Sequence, residues 1–559
     1  MYYRVPILFL MMFALIVVVV IFKDKYLPTL PYMRSEVREM VPNSSDSPEI
    51  KSALQSIRPA ELRTHLEFLA DDLLEGRNTG SRGATLASMY IAGQFKKFGL
   101  RAVGEHNSYF QTVHLTSRKI SSKSKVSIEV TGEMLPLSYG QDFLVVTPAA
   151  VNGAEIEKDV MFAGFGIRAP EYGYNDFSGL DVRDKISVYL SGEPASADSS
   201  FFAGKKMTHY ANGHSKRATA REMGAAATVG IIQPELLKRL GWEALRRRYS
   251  SPKMSLRDAN ERQSRLPAVM LHPDVGQLFF SGSQTNFQEI EKQAASGSVA
   301  SFDMHKKAHL QIFFTEHEIH DRNVAGFLEG SDPVLKSELI VFTAHYDHLG
   351  IGVSVQNDSI YNGAADNASG VSGLLELAEA FTKLPKAPRR SLLFLAVTGE
   401  EKGLLGSEFY VEHPIFPLEK TVANINLDII GLGDTTGVVL YGKERSSLGK
   451  IFERAAKEIG LTVFPDELPE QRIFYRSDQY SFAKKGVPAI FPGFGIRRSG
   501  FDEFKTYYHR PNDDIHLPFH YQYMKQHIQS VFLGALRVAN NDAPPEWVAG
   551  VEFARKRSP

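Results

Sequence analysis

The stretch "ELIVFTAHYDHLG", Glu338 to Gly350, carries an apolar run that breaks abruptly into two histidines and an aspartate. The run from Leu339 to Ala344 reads as a buried strand, so polar groups able to hold a metal stand where a strand ends. Taken alone, His345-Tyr346-Asp347 has an equally simple reading as a hydrogen-bonded strand terminus. The surroundings enlarge the question. From Arg322 onward the apolar runs "LIVFTA", "SLLFLAV", "TVANINLDI" and "VPAIFPG" alternate with the helical segments "ASGVSGLLELAEAF" and "LGKIFERAAKEIG". That order predicts an α/β fold with a mixed, mainly parallel central sheet flanked by helices on both faces. In such sheets ligands bind beyond the carboxyl ends of the strands.

Fellow ligands of His345 are therefore expected at comparable element ends, and the sequence supplies them. "NGAADNASG" places Asp366 just before a helix, and "LLFLAVTGEEKG" places Glu400 and Glu401 just past an apolar strand. "INLDIIG" places Asp428 at another strand end, and "YYHRPNDD" adds His509 late in the chain. Singly, Asp366 could cap a helix, Glu400-Glu401 could be a solvated first turn, and Asp428 could be a buried hydrogen-bonded acid. Jointly they fit two zinc-type ions sharing one carboxylate. The chain has no cysteine, so thiolate metal sites, cysteine nucleophiles and disulfides are all excluded. The chemistry asks for these residue types in its own right. Two ions about 3.5–4 Å apart lower the pKa of water held between them and polarise a carbonyl, while a neighbouring carboxylate must still take the proton.

The ordered motifs "HYDHLG", "NGAADNASG", "GEEKGLLGS", "NLDIIG" and "YHRPNDD" resemble the co-catalytic di-zinc aminopeptidases of clan MH, relatives of glutamate carboxypeptidase and of the transferrin-receptor ectodomain. The segment "LEFLADDLLEGRNTGSRG" is similar to that family's opening segment, and the resemblance covers about residues 50 to 540. It implies the zinc exopeptidase fold and two zinc ions. His345 and Asp428 would hold one ion, Glu401 and His509 the other, and Asp366 would bridge. Glu400 would be the general base, Asp347 the carboxylate that orients the His345 imidazole, and Tyr508 the group that steadies an oxyanion. The implied activity is removal of N-terminal residues from peptides. A carboxypeptidase or dipeptidase on the same centre, a one-zinc glutaminyl-cyclase-like enzyme and an inactive receptor-like relative are the alternatives. Arg476 in "YRSDQYSF" is a candidate for substrate contact, and Phe474, Tyr475, Phe491 and Phe494 could line a side-chain pocket or pack the core.

Length and texture divide the chain. At 559 residues it exceeds one ordinary core. Residues 48–148 are expected to open the peptidase domain, 149–318 to form an inserted β-rich unit resembling a protease-associated (PA) domain, and 319–542 to complete the peptidase domain with the metal site. "RPAELRTHLEFLADDLLEG" and "GATLASMYIAGQFKKFGL" read as amphipathic helices, the second stopped by Gly99, with the glycine-rich loop "GRNTGSRG" between them. Gly164-Phe165-Gly166 lacks the third glycine of a dinucleotide fingerprint. His305, His309, His317 and His320 look like a second metal cluster but fall on alternating positions of a solvated strand. Lys plus Arg and Asp plus Glu both number 64, so the bulk charge favours neither nucleic acid nor an anionic surface. Residues 1–27 read as a membrane anchor or signal segment. "PILFLMMFALIVVVVIF", Pro6 to Phe22, is uncharged and just long enough to span a hydrocarbon core, and no small-residue cleavage site follows it. An uncleaved anchor with the catalytic part exported, periplasmic or extracellular, is expected, although Lys23, Lys25, Arg34 and Arg38 outnumber Arg4 and favour the opposite orientation.

Overall fold

The structure, a computed structural model, describes residues 47–204, 207–257, 266–283 and 285–554. Pro6 to Phe22 lies outside these residues, and among the described residues no helix is long and apolar enough to cross a membrane. A 10-stranded sheet forms the centre. Its middle is parallel: Ser391–Val397, Leu339–His345, Thr421–Asn426 and Ala489–Gly493 lie side by side in that order. Antiparallel strands flank this middle, with Phe314–Leu328 and Phe110–Ile120 on one side and Gly437–Tyr441 on the other. Four parallel strands thus form the middle, and a further parallel pair, Gly437–Tyr441 with Thr462–Phe464, lies at one edge.

Burial explains why these strands look continuously apolar in the sequence. Every residue of Leu339–His345, Ser391–Val397 and Thr421–Asn426 is buried, as expected of parallel strands covered on both sides. Ile340, Phe342, Phe394 and Ile425 point to a face packed by helices Pro59–Leu69, Arg82–Lys97, Gly370–Thr382 and Tyr521–Asn540. Val341, Leu393 and Leu395 point to the other face and meet Tyr410, Val411 and Phe482. Each such buried side chain contributes roughly 1.5–3 kcal/mol over an exposed one. Gly99 does end the Arg82–Lys97 helix, with φ of 79°. The first predicted helix stops sooner than its periodicity implies, at Leu69. The Asp71 carboxylate accepts the Leu73 N–H at 2.8 Å, which starts a separate short turn in place of another helical one.

A second sheet of eight strands stands between the two halves of the first in sequence. Its centre is also parallel, from Glu155–Phe162 through Ile186–Leu190 and Ala227–Ile231 to Ala268–Leu271. The composition shift near residue 149 does not mark where this sheet begins. Lys125–Val130, Glu133–Leu137 and Phe143–Thr147 already belong to it, because they pair with Phe302–Gln311, with each other and with Ala268–Leu271. In return, Lys253–Leu256 leaves the second sheet's span to pair with Phe110–Ile120 at the edge of the central one. The four histidines divide between the sheets. His305 and His309 lie on Phe302–Gln311, His309 facing Glu155 at 2.7 Å. His317 and His320 lie on Phe314–Leu328, His320 facing His114 at 3.1 Å. They form no common cluster.

Candidate metal centre

The ends of three adjacent parallel strands deliver the expected residues. His345 is the last residue of Leu339–His345, Glu400 and Glu401 follow Ser391–Val397 in a tight turn, and Asp428 stands two residues past Asn426. Asp366 comes from the turn Ala364–Ser369 that feeds helix Gly370–Thr382, and His509 from the loop after helix Phe501–Tyr507. His345 Nε2 lies 3.1 Å from Asp366 Oδ1, 3.5 Å from Asp428 Oδ1 and 4.0 Å from Glu400 Oε2. His509 Nε2 lies 3.2 Å from both Asp366 Oδ2 and Glu401 Oε2. The two oxygens of Asp366 therefore face two different imidazoles. His345, Glu400 and Asp428 make one group with metal-ligand spacing, and His348, Asp366 and Glu401 make another.

The donors fit metal ions by what they leave unpaired. Ser477 donates to Asp428 Oδ2 at 2.6 Å, while Asp428 Oδ1 is buried without a hydrogen-bond partner. Glu401 Oε1 and both ring nitrogens of His348 are likewise buried and unpaired, although His348 Nδ1 and Glu401 Oε1 stand only 2.8 Å apart. Buried polar atoms left this way are costly unless something else satisfies them. His345 engages Nδ1 with the Asp347 main-chain oxygen at 3.1 Å, which leaves Nε2 for the centre. Oxygen and imidazole donors without sulfur suit zinc and similar divalent ions.

Protonation follows the crowding of carboxylates. Burial pulls His345 down, but Glu400, Asp428 and Asp366 outweigh it and hold it well above the usual imidazole range. Burial opposes the charge on His509 too, yet hydrogen bonds to Asp366 and Glu401 raise it to about 10. Burial pushes Glu400 well above the carboxylate range against the pull of His345, with Glu401, Asp478 and Asp428 adding to the push. Burial and Asp366 also press Glu401 upward, but His348 and His509 prevail and bring it to about 2. Imidazolium protons thus supply the positive charge that bound cations would replace.

One expectation needs correction in detail. The Asp347 carboxylate does not grip the His345 ring, from which it stays 3.8 Å away. Its oxygens are committed elsewhere: Oδ1 accepts the Glu400 N–H at 3.0 Å and Oδ2 the Thr79 hydroxyl at 2.9 Å. Asp347 thus meets the imidazole through its main-chain oxygen and the Glu400 turn through its side chain. Of the four aromatics, Phe474 and Phe491 are core residues beside Val439 and Tyr441. Phe494 instead packs with Ile429, Leu432 and Tyr507, next to the ligand-bearing segments. It helps to line a cavity of about 360 Å³ with Leu432, Ile496 and Phe504. Tyr508 stacks on His509, with centroids 3.9 Å apart, and its hydroxyl meets exposed Arg476 at 3.3 Å.

Sequence reasoning overlooked His348, Ser477 and Asp513. Asp513 accepts the main-chain N–H groups of Ala365 at 2.7 Å and Asp366 at 3.1 Å, and burial raises it to about 6. All three stood inside motifs already singled out, "HYDHLG", "YRSDQYSF" and "YHRPNDD".

Fold and site together set two groups of buried donors with metal-ligand spacing at the strand ends of an α/β sheet, with Asp366 also facing His345 of the first group. Residues 323–532 match the model of peptidase family M28. Over 243 residues the chain is 28% identical to a vacuolar membrane protease of Vanderwaltozyma polyspora, covering 42% of this chain and 23% of that one. It is 29% identical over 183 residues to aminopeptidase YwaD of Bacillus subtilis, covering 32% and 36%. The matched region thus spans well under half the length of these curated relatives. In architecture the chain resembles the aminopeptidase of Aneurinibacillus sp. strain AM-1, with a TM-score of 0.50 at 18% identity, over 88% of this chain and 96% of that one.

Proposed function

We propose that this protein is a zinc-dependent exopeptidase that removes N-terminal residues from peptides. The observation that carries the reading is Asp366, whose two oxygens lie 3.1 and 3.2 Å from the Nε2 atoms of His345 and His509. When bound, two zinc ions supply a water of lowered pKa and polarise the scissile carbonyl. The chain does the rest. His345 and Asp428 would hold one ion and Glu401 and His509 the other, with Asp366 as the carboxylate shared between them. Glu400, the farthest of the three carboxylates from His345 Nε2, stays outside the ligand set and carries the proton from water to the leaving amine. Tyr508 offers its hydroxyl to the developing oxyanion. The cavity beside Phe494 and Phe504 takes an apolar side chain of the substrate. The PA-like reading of the second sheet and attachment to a membrane through Pro6 to Phe22 belong to the same proposal. The names of the Bacillus and Vanderwaltozyma relatives support the aminopeptidase and membrane parts of it.

In this reading Glu400 and Asp428 also meet the charged α-amine of the substrate, and an acylated amine leaves them unpaired. That mismatch costs at least a few kcal/mol, at tenfold in rate per 1.4 kcal/mol. One peptide assayed free, N-acetylated and C-amidated tests it. Acetylation is expected to slow cleavage by about two orders of magnitude or more, and amidation to do little. The reverse pattern identifies a carboxypeptidase and overturns the assignment.

A further inference from the structure

The glycine-rich turn after Leu74 packs against the metal centre at several points. Arg77 is 1% exposed and makes no ion pair among the described residues. Its guanidinium instead donates to main-chain oxygens on both ligand-bearing loops. Nε reaches Tyr346 O at 2.7 Å, one terminal nitrogen reaches Asn362 O at 2.7 Å and also Leu69 O, and the other reaches Gly363 O at 2.9 Å. Tyr346 follows His345 directly, and Gly363 opens the turn that presents Asp366. The main chain of the turn adds to this. Arg77 O accepts the His348 N–H at 3.2 Å, and Asn78 forms a bridge with His348. Thr79 donates to Asp347 Oδ2 at 2.9 Å, and Gly80 N–H to Asp321 Oδ2 at 2.6 Å. Gly76 has φ of 64°, and a Cβ there would strike the carbonyl oxygens of Gly350 and Tyr361. The backbone is thus wedged between the two loops.

We propose that the turn Gly76–Gly80 is the positioning element of the metal centre, with Arg77 holding the His345 and Asp366 loops in register and Thr79 fixing the Asp347 carboxylate. A planar guanidinium with five fixed N–H donors can serve four carbonyl oxygens at once, and a single ammonium cannot. Arg77 is a positioning residue, since it touches neither the ligand atoms nor the space between them. The inference rests on the two-ion reading above. It goes beyond that reading by assigning the geometry of both ion sites to a segment far away in sequence.

The test uses the purified full chain, stripped with a chelator and titrated with cobalt(II) against a competing chelator while visible absorption is recorded. Circular dichroism and thermal melts run alongside. Arg77→Lys is expected to lower the affinity for both ions by about 10–100-fold, the range seen when an outer partner of a metal site is lost, and to alter the cobalt ligand-field bands. Thr79→Val, acting only through Asp347, is expected to weaken uptake less, by at least about threefold. If folded Arg77→Lys binds cobalt with unchanged affinity and spectrum, a lowered melting temperature then reports support of the fold alone, and the inference is wrong. Should Arg77→Lys not fold, Thr79→Val decides on the same readouts. If the unaltered chain takes up no cobalt, the two-ion reading itself fails. If it takes up two ions and both variants match it, only the present inference fails.

Discussion

Single side chains at this centre differ in protonation, and neighbours in sequence are driven in opposite directions. Glu401 is drawn toward His348 and His509 and is held ionised, whereas Glu400, one residue earlier, is pushed toward its protonated form by burial. Glu400→Gln is nearly isosteric and removes no proposed ligand. It is expected to keep both ions and the fold while turnover falls by about 10²–10⁴, the usual worth of general-base catalysis. Metal analysis beside steady-state kinetics checks this, and a variant stripped of zinc would mean that Glu400 is a ligand. That the five proposed ligands and Glu400 come together was readable because metal chemistry confines such donors to few residue types and the sheet confines them to strand ends. His348 was not, although it sits in the opening motif. Its significance depends on lying 2.8 Å from Glu401, on the adjacent parallel strand, which no local pattern reports. Thr79 and Ser477 escaped for the same reason: a hydroxyl gains its role from the carboxylate it meets.

At the scale of elements, the helices and central strands of the catalytic part follow their hydrophobic periodicity, since each buries one stripe or both faces against a neighbour. Strand membership did not follow from periodicity. Lys125–Val130 and Glu133–Leu137 are short strands, and only the pairing of the first with Phe302–Gln311 and of the second with the first decides which sheet they join. A helix beside the second sheet carries a buried amine. Lys216, on helix Gly213–Glu222, is fully buried with Nζ bonded to Phe165 O at 2.5 Å, and burial pulls it from 10.5 to about 7 despite nearby Asp176. A base whose folded pKa lies below its unfolded one binds fewer protons when native, so this group's penalty is full below about pH 7 and fades as pH rises toward 10.5. Lys216→Met is therefore expected to stabilise the protein at pH 6 and to flatten the rise in melting temperature between pH 7 and 10. Melts across that range test it, and a variant less stable than the parent at pH 6 would show that the bond to Phe165 outweighs desolvation.

For the whole molecule, ions that bind only the folded centre add their binding energy to stability, about 2.7 kcal/mol at a concentration 100 times the dissociation constant. Stripping the chain with a chelator should lower its melting temperature and restoring zinc should recover it. Because His345 and His509 must release protons to bind, the recovery should need more zinc as pH falls. A melt insensitive to both would contradict the assignment of these residues as ligands. The path of the chain between its two sheets carries a further consequence. Ile120, where the chain leaves the central sheet, is the register partner of Phe314, where it returns. The Ser121 N–H and Phe313 oxygen between them are bonded at 2.8 Å. Exit and return are thus the two legs of a hairpin whose turn has been opened to admit some two hundred residues. Closing it again with a two-residue Asn-Gly loop should yield a shorter folded chain whose central sheet lacks only the Lys253–Leu256 edge strand, and a cooperative melt of that chain checks this. The segment between the two legs is in this sense a detachable module, one that could be removed without redrawing the central sheet.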